Sequence, residues 1–214
     1  KIRDLANKNN IVLIFDECTS GFRETFGGIY KKYNVEPDVA IYGKTLGNGY
    51  AITAIVGKKS VMEYSQDTFI SSTFWTEKIG PTAALKTLEI MERIKSWERI
   101  TFLGNKIRKG WSEITNSYKV PIQINGLKSI STFVFNHKDN LKYKTLLTQE
   151  FLKKGYLAST NFYASTSHNE KIINNYLEIF DKIISLIGEC IEKRKNIDSL
   201  LDGPVVHSGF KRLN

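Results

Sequence analysis

The stretch "IVLIFDECTSGFR", residues 11–23, decides how this chain reads. Residues 11–15 are all apolar, which suits a β-strand covered on both faces, as strands of parallel sheets are. The run passes straight into Asp16 and Glu17 and then into a Thr-Ser-Gly turn. A buried strand ending on two carboxylates fits two chemistries. In an ATPase the pair would be a metal-binding Asp and a catalytic Glu, with Gly43-Lys44-Thr45 as the phosphate loop. In a cofactor enzyme one carboxylate would hold a ring nitrogen and Lys44 would be a reactive amine.

The ATPase reading fails on spacing. In the pattern Gly-x-x-x-x-Gly-Lys-Thr the first glycine would fall on Asp38, whose carboxylate repels phosphate. The loop should also open a helix, yet Gly47, Asn48 and Gly49 follow at once. In that family, moreover, the loop precedes the acidic strand.

Outward from the opening run, Pro37-Asp38 leads into a second apolar run, "VAIYG", and "LGNGY" leads into a third, "AITAIVG". Short apolar runs separated by glycine-rich turns predict neighbouring strands of one α/β sheet. Ligands of such sheets gather at the carboxyl ends of strands, where Asp16 and Lys44 both fall. Three strands are few for an α/β domain, so the chain reads as starting in mid-domain. Residues 1–9 read as a helix end, "SVMEYSQ" as a short helix, "FISSTFWTE" as a loop and 76–108 as helical. Leu85, Leu88, Ile90, Met91 and Ile94 form a core or interface stripe. Beyond Val120, strand-like alternation around Gly126, an amphipathic helix capped by Gly155 and a long helix from Asn169 to about Lys195 predict a second, smaller α/β unit. The tail, "DGPVVHSGFKRLN", reads as loop. The expected division is residues 1–115 and 116–214.

The composition, 41% hydrophobic and 25% charged, is that of a globular protein. Two cysteines, Cys18 and Cys190, make no disulfide framework or zinc motif and suit a reducing cytoplasm. No apolar run approaches the roughly 20 residues of a membrane span, so no membrane partner is expected. The net charge of +9 comes from lysines mixed with acids along helix faces rather than clustered with aromatics, so no nucleic-acid partner is expected either.

The segment "LIFDECTSGFR…GG…YNVEPDVAIYGKTLGNGYAITAIVGKKSVM", with "FISSTFWTEKIGPTAALKTLE" and "GYLASTNFYASTSH", resembles the class III (subgroup II) aminotransferases, and especially the glutamate-1-semialdehyde aminomutase branch. The resemblance implies the type I fold of pyridoxal-phosphate-dependent transferases: part of the large-domain sheet in residues 1–115 and the C-terminal small α/β domain in 116–214. It implies pyridoxal 5'-phosphate as cofactor, a small-molecule amino donor, a carbonyl acceptor, and a homodimer with sites shared between subunits. Asp16 would pair with the pyridine nitrogen. Lys44 would form the Schiff base and then shuttle a proton between substrate and cofactor carbons. Cys18 would pack on the ring, where the family usually has Val. Ser72 and Thr73 would reach the phosphate from the neighbouring subunit. Glu17 would make structural hydrogen bonds.

The sequence departs from the family pattern in three ways. "FWTEKIGP" replaces the usual Gly-Asn-Pro after the phosphate region. No acidic residue stands near Phe162-Tyr163, which favours an aminotransferase over an aminomutase. Such enzymes are about twice this length, so the resemblance implies a C-terminal half; a catalytically silent fragment or association module is the alternative.

Overall fold

In the computed structural model, residues 1–74 and 76–209 are described. Trp75 of the expected 69–77 loop and residues 210–214 of the expected tail lie outside them. Two compact units divide between Arg99 and Ile100.

The first unit begins with helix α1 (Ile2–Lys8), followed by strands β1 (Ile14–Asp16), β2 (Val39–Tyr42) and β3 (Ala54–Gly57), the short helix α2 (Lys59–Met62), and α3 (Ile79–Ile94). The sheet order is β1-β2-β3; β1 and β2 are parallel, with Phe15 beside Ala40, and β3 is antiparallel to β2. The three apolar runs thus form one sheet. Beneath it Ala40, Tyr42, Leu46 and Ala84 form a small core, with Phe22, Ile52 and Leu88 packed against them.

The first strand departs from expectation. Among the described residues β1 pairs with β2 alone, and its apolar run is not covered on both faces. Ile11, Val12 and Ile14 remain 55%, 46% and 54% exposed. The helical stripe is also only partly buried: Met91 is covered, whereas Leu85 and Ile94 face outward.

The carboxylate of Asp38 ties this unit together. It accepts hydrogen bonds from the Leu13 N–H (2.8 Å) ahead of β1, Arg3 Nη1 (2.8 Å) in α1 and Lys58 Nζ (2.7 Å) just after β3. The Leu13 amide, then Lys58 and Arg3, hold the Asp38 carboxyl well below the usual carboxylate range.

The expected single helical stretch is two helices, α3 and α4 (Ser96–Ser117), broken at Lys95 in the left-handed conformation (φ +47°). Leu103, Ile107 and Trp111 of α4 belong to the second core, which is why the units divide earlier than the expected 115/116 boundary.

In the second unit, β4 (Ile122–Leu127), β5 (Ile130–Phe135) and β6 (Asn161–Tyr163) form an antiparallel sheet in that order. Helices α5 (Asn140–Lys153) and α6 (Glu170–Ile191) complete it. Trp111, Phe133, Phe151 and Phe180 are fully buried at its centre, and Trp111 Nε1 donates to Tyr176 Oη at 2.9 Å. Gly104 is required for the approach of α4, since a Cβ there would lie 1.8 Å from the Lys128 carbonyl oxygen.

Both helix termini read from sequence are present. After α5, Gly155 (φ +78°) donates to the Leu152 carbonyl and Tyr156 to that of Phe151, a Schellman cap with Phe151 packed on Tyr156. At the start of α6, Asn169 Oδ1 accepts from the Ile172 N–H at 2.9 Å.

Because the Asp38 pKa is lowered on folding, its contribution is present above the unfolded carboxylate pKa of about 4 and is lost as pH falls below it. Asp38→Asn should therefore speed hydrogen exchange of the β2 amides at pH 7, and the gap from the unsubstituted chain should hold down to about pH 4 and begin to narrow only below it, as pH falls toward the lower folded-state value. A gap that stayed unchanged below about pH 4 would contradict this role.

Candidate active site

Parallel pairing sets Asp16 beside Ile41, so β1 and β2 end at one edge of the sheet. Each strand then enters a tight turn. After β1, the Cys18 N–H donates to Asp16 Oδ1 at 3.0 Å and the Gly21 N–H to the Glu17 carbonyl at 2.8 Å. Glu17, 2% exposed, accepts from the Ser20 hydroxyl and from the Tyr30 N–H at 3.3 Å, while its own N–H donates to the Ile41 carbonyl at 2.8 Å. The two acids separate here: Glu17 is buried and braces the turn, as the sequence suggested, and Asp16 is exposed at the sheet edge.

After β2 the chain turns through Gly43 into a 3₁₀ helix, Lys44–Leu46. Lys44 has φ +43°, a conformation that costs a non-glycine residue roughly 1–2 kcal/mol. Such backbone persists where surroundings impose it, and it clusters at functional sites. Here the Leu46 N–H donates to the Gly43 carbonyl (3.0 Å) and the Asn48 N–H to that of Lys44 (3.1 Å). The exposed Lys44 side chain donates from Nζ to Thr19 Oγ1, across from the turn after β1.

The half-buried Cys18 thiol lies against Gly43, where a Cβ would be 3.2 Å from Sγ. Burial pushes this thiol up, helped by the Asp16 carboxylate and opposed by Lys44. Asp16, Cys18 and Lys44 therefore share one edge, linked by contacts.

Beside Lys44 opens a cavity of about 660 Å³, lined by Arg23, Lys44, Thr45, Asn48, Tyr50 and Thr53 among others. Gly47 lets the chain fold back just before the lining residues Asn48 and Tyr50: a Cβ there would stand 2.1 Å from the Tyr50 carbonyl oxygen. Thr45 Oγ1 is buried without a hydrogen-bond partner among the described residues. Ser72 and Thr73 lie in an exposed loop and do not line this cavity. Thr19 and Thr45 were missed by sequence reasoning; the available signal was a hydroxyl residue in the same short turn as each candidate group. No cluster of three metal-ligating side chains and no helix long and apolar enough to cross a membrane occurs among the described residues.

The family model for class-III aminotransferases matches residues 1–179. The chain belongs to that family. It is 37% identical to the 3-aminobutyryl-CoA aminotransferase of Cloacimonas acidaminovorans (strain Evry) over 151 residues, 70% of this chain and 36% of that protein. To the glutamate-1-semialdehyde 2,1-aminomutase of Methanococcus vannielii it is 35% identical over 164 residues, covering 72% and 38%. Its structure matches that of the FumI protein of Sphingopyxis sp. MTA144, described as a PLP internal aldimine form, with a TM-score of 0.82 at 22% identity, over 93% of this chain and 49% of that one. At that identity the likeness establishes the fold, which is the expected part of a type I pyridoxal-phosphate-dependent transferase fold. The chain spans less than half the length of these two curated relatives.

Glu17→Ala removes the acceptor of the Ser20 hydroxyl and the Tyr30 N–H. Unsatisfied buried donors cost roughly 1–3 kcal/mol each, so the first unit should lose stability on that scale in urea unfolding. Asp16→Ala, at an exposed position, should cost far less. Equal losses would show that the two acids do not divide into brace and exposed group.

Proposed function

We propose that this chain is part of a pyridoxal-phosphate-dependent aminotransferase that moves an amino group from a small-molecule donor to a carbonyl acceptor, with Lys44 as the covalent anchor of the cofactor. One observation carries this reading: in a chain of this family, Asp16 and Lys44 stand at neighbouring parallel strand ends on one sheet edge.

The side chains fit the cofactor. Asp16 Oδ1 accepts a hydrogen bond from the Cys18 N–H, and the exposed carboxylate has room for a further donor. A protonated ring nitrogen would supply a charge-assisted one. Lys44 offers its amine to an aldehyde. Arg23 brings positive charge to the cavity, and the Thr45 hydroxyl lacks a partner. Cys18 offers a small apolar body for the ring to rest on. Bound there, pyridoxal phosphate would supply an electron sink. Asp16 would keep the ring-nitrogen proton in place. The Lys44 amine would accept a proton from substrate carbon and return it on the cofactor side. In a homodimer, the exposed hydroxyls of Ser72 and Thr73 would serve the neighbouring subunit's phosphate. The unit ending at Arg99 would be the cofactor-binding part and the unit from Ile100 the small domain, in place of the expected 1–115 and 116–214. The free thiols Cys18 and Cys190 suit a reducing cytoplasm.

Transfer between two molecules is favoured over aminomutase chemistry by β6, Asn161–Tyr163, which carries no acid. A silent fragment is the second reading. It is supported by the uncovered β1 edge, which leaves the sheet beside Asp16 unfinished.

The chain is incubated with pyridoxal phosphate, reduced with borohydride and mapped by mass spectrometry. Label should concentrate on Lys44 and vanish from that peptide in Lys44→Ala. Asp16→Ala should weaken binding about tenfold or more, the scale of one lost charge-assisted hydrogen bond. Label spread over surface lysines and absent from Lys44 would sink the proposal. Turnover of amino donors by the chain alone would eliminate the silent-fragment reading.

A further inference from the structure

We propose that Thr19 is the positioning residue for the Lys44 amine. This rests on Lys44 being the anchor and adds how its flexible side chain is aimed.

The hydrogen bond from Lys44 Nζ to Thr19 Oγ1 joins the turn after β1 to the turn after β2. Both ends are fixed. On one side of Thr19 the Cys18 N–H is held by Asp16; on the other the Ser20 hydroxyl is held by the buried Glu17, and the Gly21 N–H by the Glu17 carbonyl. Thr19 is itself β-branched, which restricts χ1, so Oγ1 has few positions from which to accept. The Lys44 backbone is equally constrained by the bonds from Leu46 and Asn48. Between these ends lies a long, rotatable side chain, and one hydrogen bond confines it to the Asp16 edge.

The acceptor's chemistry suits a working amine. A carboxylate would pair with the ammonium and hold it charged. A neutral hydroxyl accepts one N–H, adds no charge, and lets the amine leave when a carbonyl carbon arrives. Among the described residues no carboxylate forms an ion pair with Lys44. Thr19 would hold the amine whenever it is not bonded to carbon.

The test begins without cofactor. Carbon-13 relaxation of the lysine ε-CH₂ groups is measured on the full chain, with Lys44 assigned by its loss in Lys44→Ala. Lys44 should be more ordered than the exposed Lys59 and Lys109, whose side chains are 87% and 77% exposed. Thr19→Val should lower its order to theirs, and Thr19→Ser should retain it. With pyridoxal phosphate, the initial rate of borohydride-trapped label at Lys44 should fall about fivefold in Thr19→Val, the scale of one hydrogen bond, and be restored by Thr19→Ser. A Lys44 as mobile as Lys109 in the unsubstituted chain overturns the proposal, even if Thr19→Val fails to fold. So does unchanged order in Thr19→Val. Absence of label at Lys44 in every form, with its order still dependent on Thr19, would instead overturn the aminotransferase reading alone.

Discussion

Asp38 is the constraint on which the first unit turns. Its carboxylate collects a backbone amide ahead of β1, a guanidinium from α1 and an ammonium just after β3. These groups are far apart in sequence, and one side chain brings them to the start of β2. With that end of the sheet clamped, β1 and β2 keep their parallel register, and their opposite ends deliver Asp16 and Lys44 to a common edge. The structural acid thus stands at one end of the strands and the candidate chemical groups at the other. This division follows the rule that open parallel sheets place their ligands at strand carboxyl ends.

The same separation occurs within one dipeptide. Asp16 and Glu17 are adjacent in sequence, but successive side chains of an extended chain point to opposite sides. Glu17 is turned inward, where burial obliges it to find partners, and it finds them in Ser20 and Tyr30. Asp16 is turned outward and spends one oxygen on the Cys18 amide. Each partner of Glu17 stiffens the turn that carries Asp16, Cys18 and Thr19, so the buried acid acts on the site through backbone geometry.

Much of this was legible in the sequence because it is local. Apolar runs ending at Asp16 and at Gly43-Lys44 marked two strand ends. Gly155 announced a helix end by a conformational preference that needs only a few neighbours, and the apolar stripe beyond Asn169 marked a long helix. What sequence left hidden depends on the third dimension. Apolarity along residues 11–15 suggested a strand covered on both faces, but coverage depends on what packs over it, and in this chain Ile11, Val12 and Ile14 stay about half exposed. The helix break at Lys95 has no glycine or proline to announce it, because a lysine adopts the left-handed turn. The unit boundary moved because Leu103, Ile107 and Trp111 belong by packing to the core of the second unit. Thr19 escaped notice because its contact with Lys44 spans two strands.

For a chain of this extent, the unpaired edge of β1 among the described residues governs how it behaves among its own copies. The Val39 amide pairs with the Leu13 carbonyl and the Glu17 amide with that of Ile41, so the backbone groups of Ile14 point away from β2. Natural edges are blunted by charge, proline or a bulge; residues 11–14, Ile-Val-Leu-Ile, carry neither charge nor proline. What opposes strand-to-strand templating is the net charge of +9, acting as long-range repulsion between molecules. Added electrolyte shortens the reach of that repulsion to about 8 Å at physiological ionic strength and leaves the apolar edge unchanged. Colloidal stability of this chain is therefore a property of the buffer as much as of the fold.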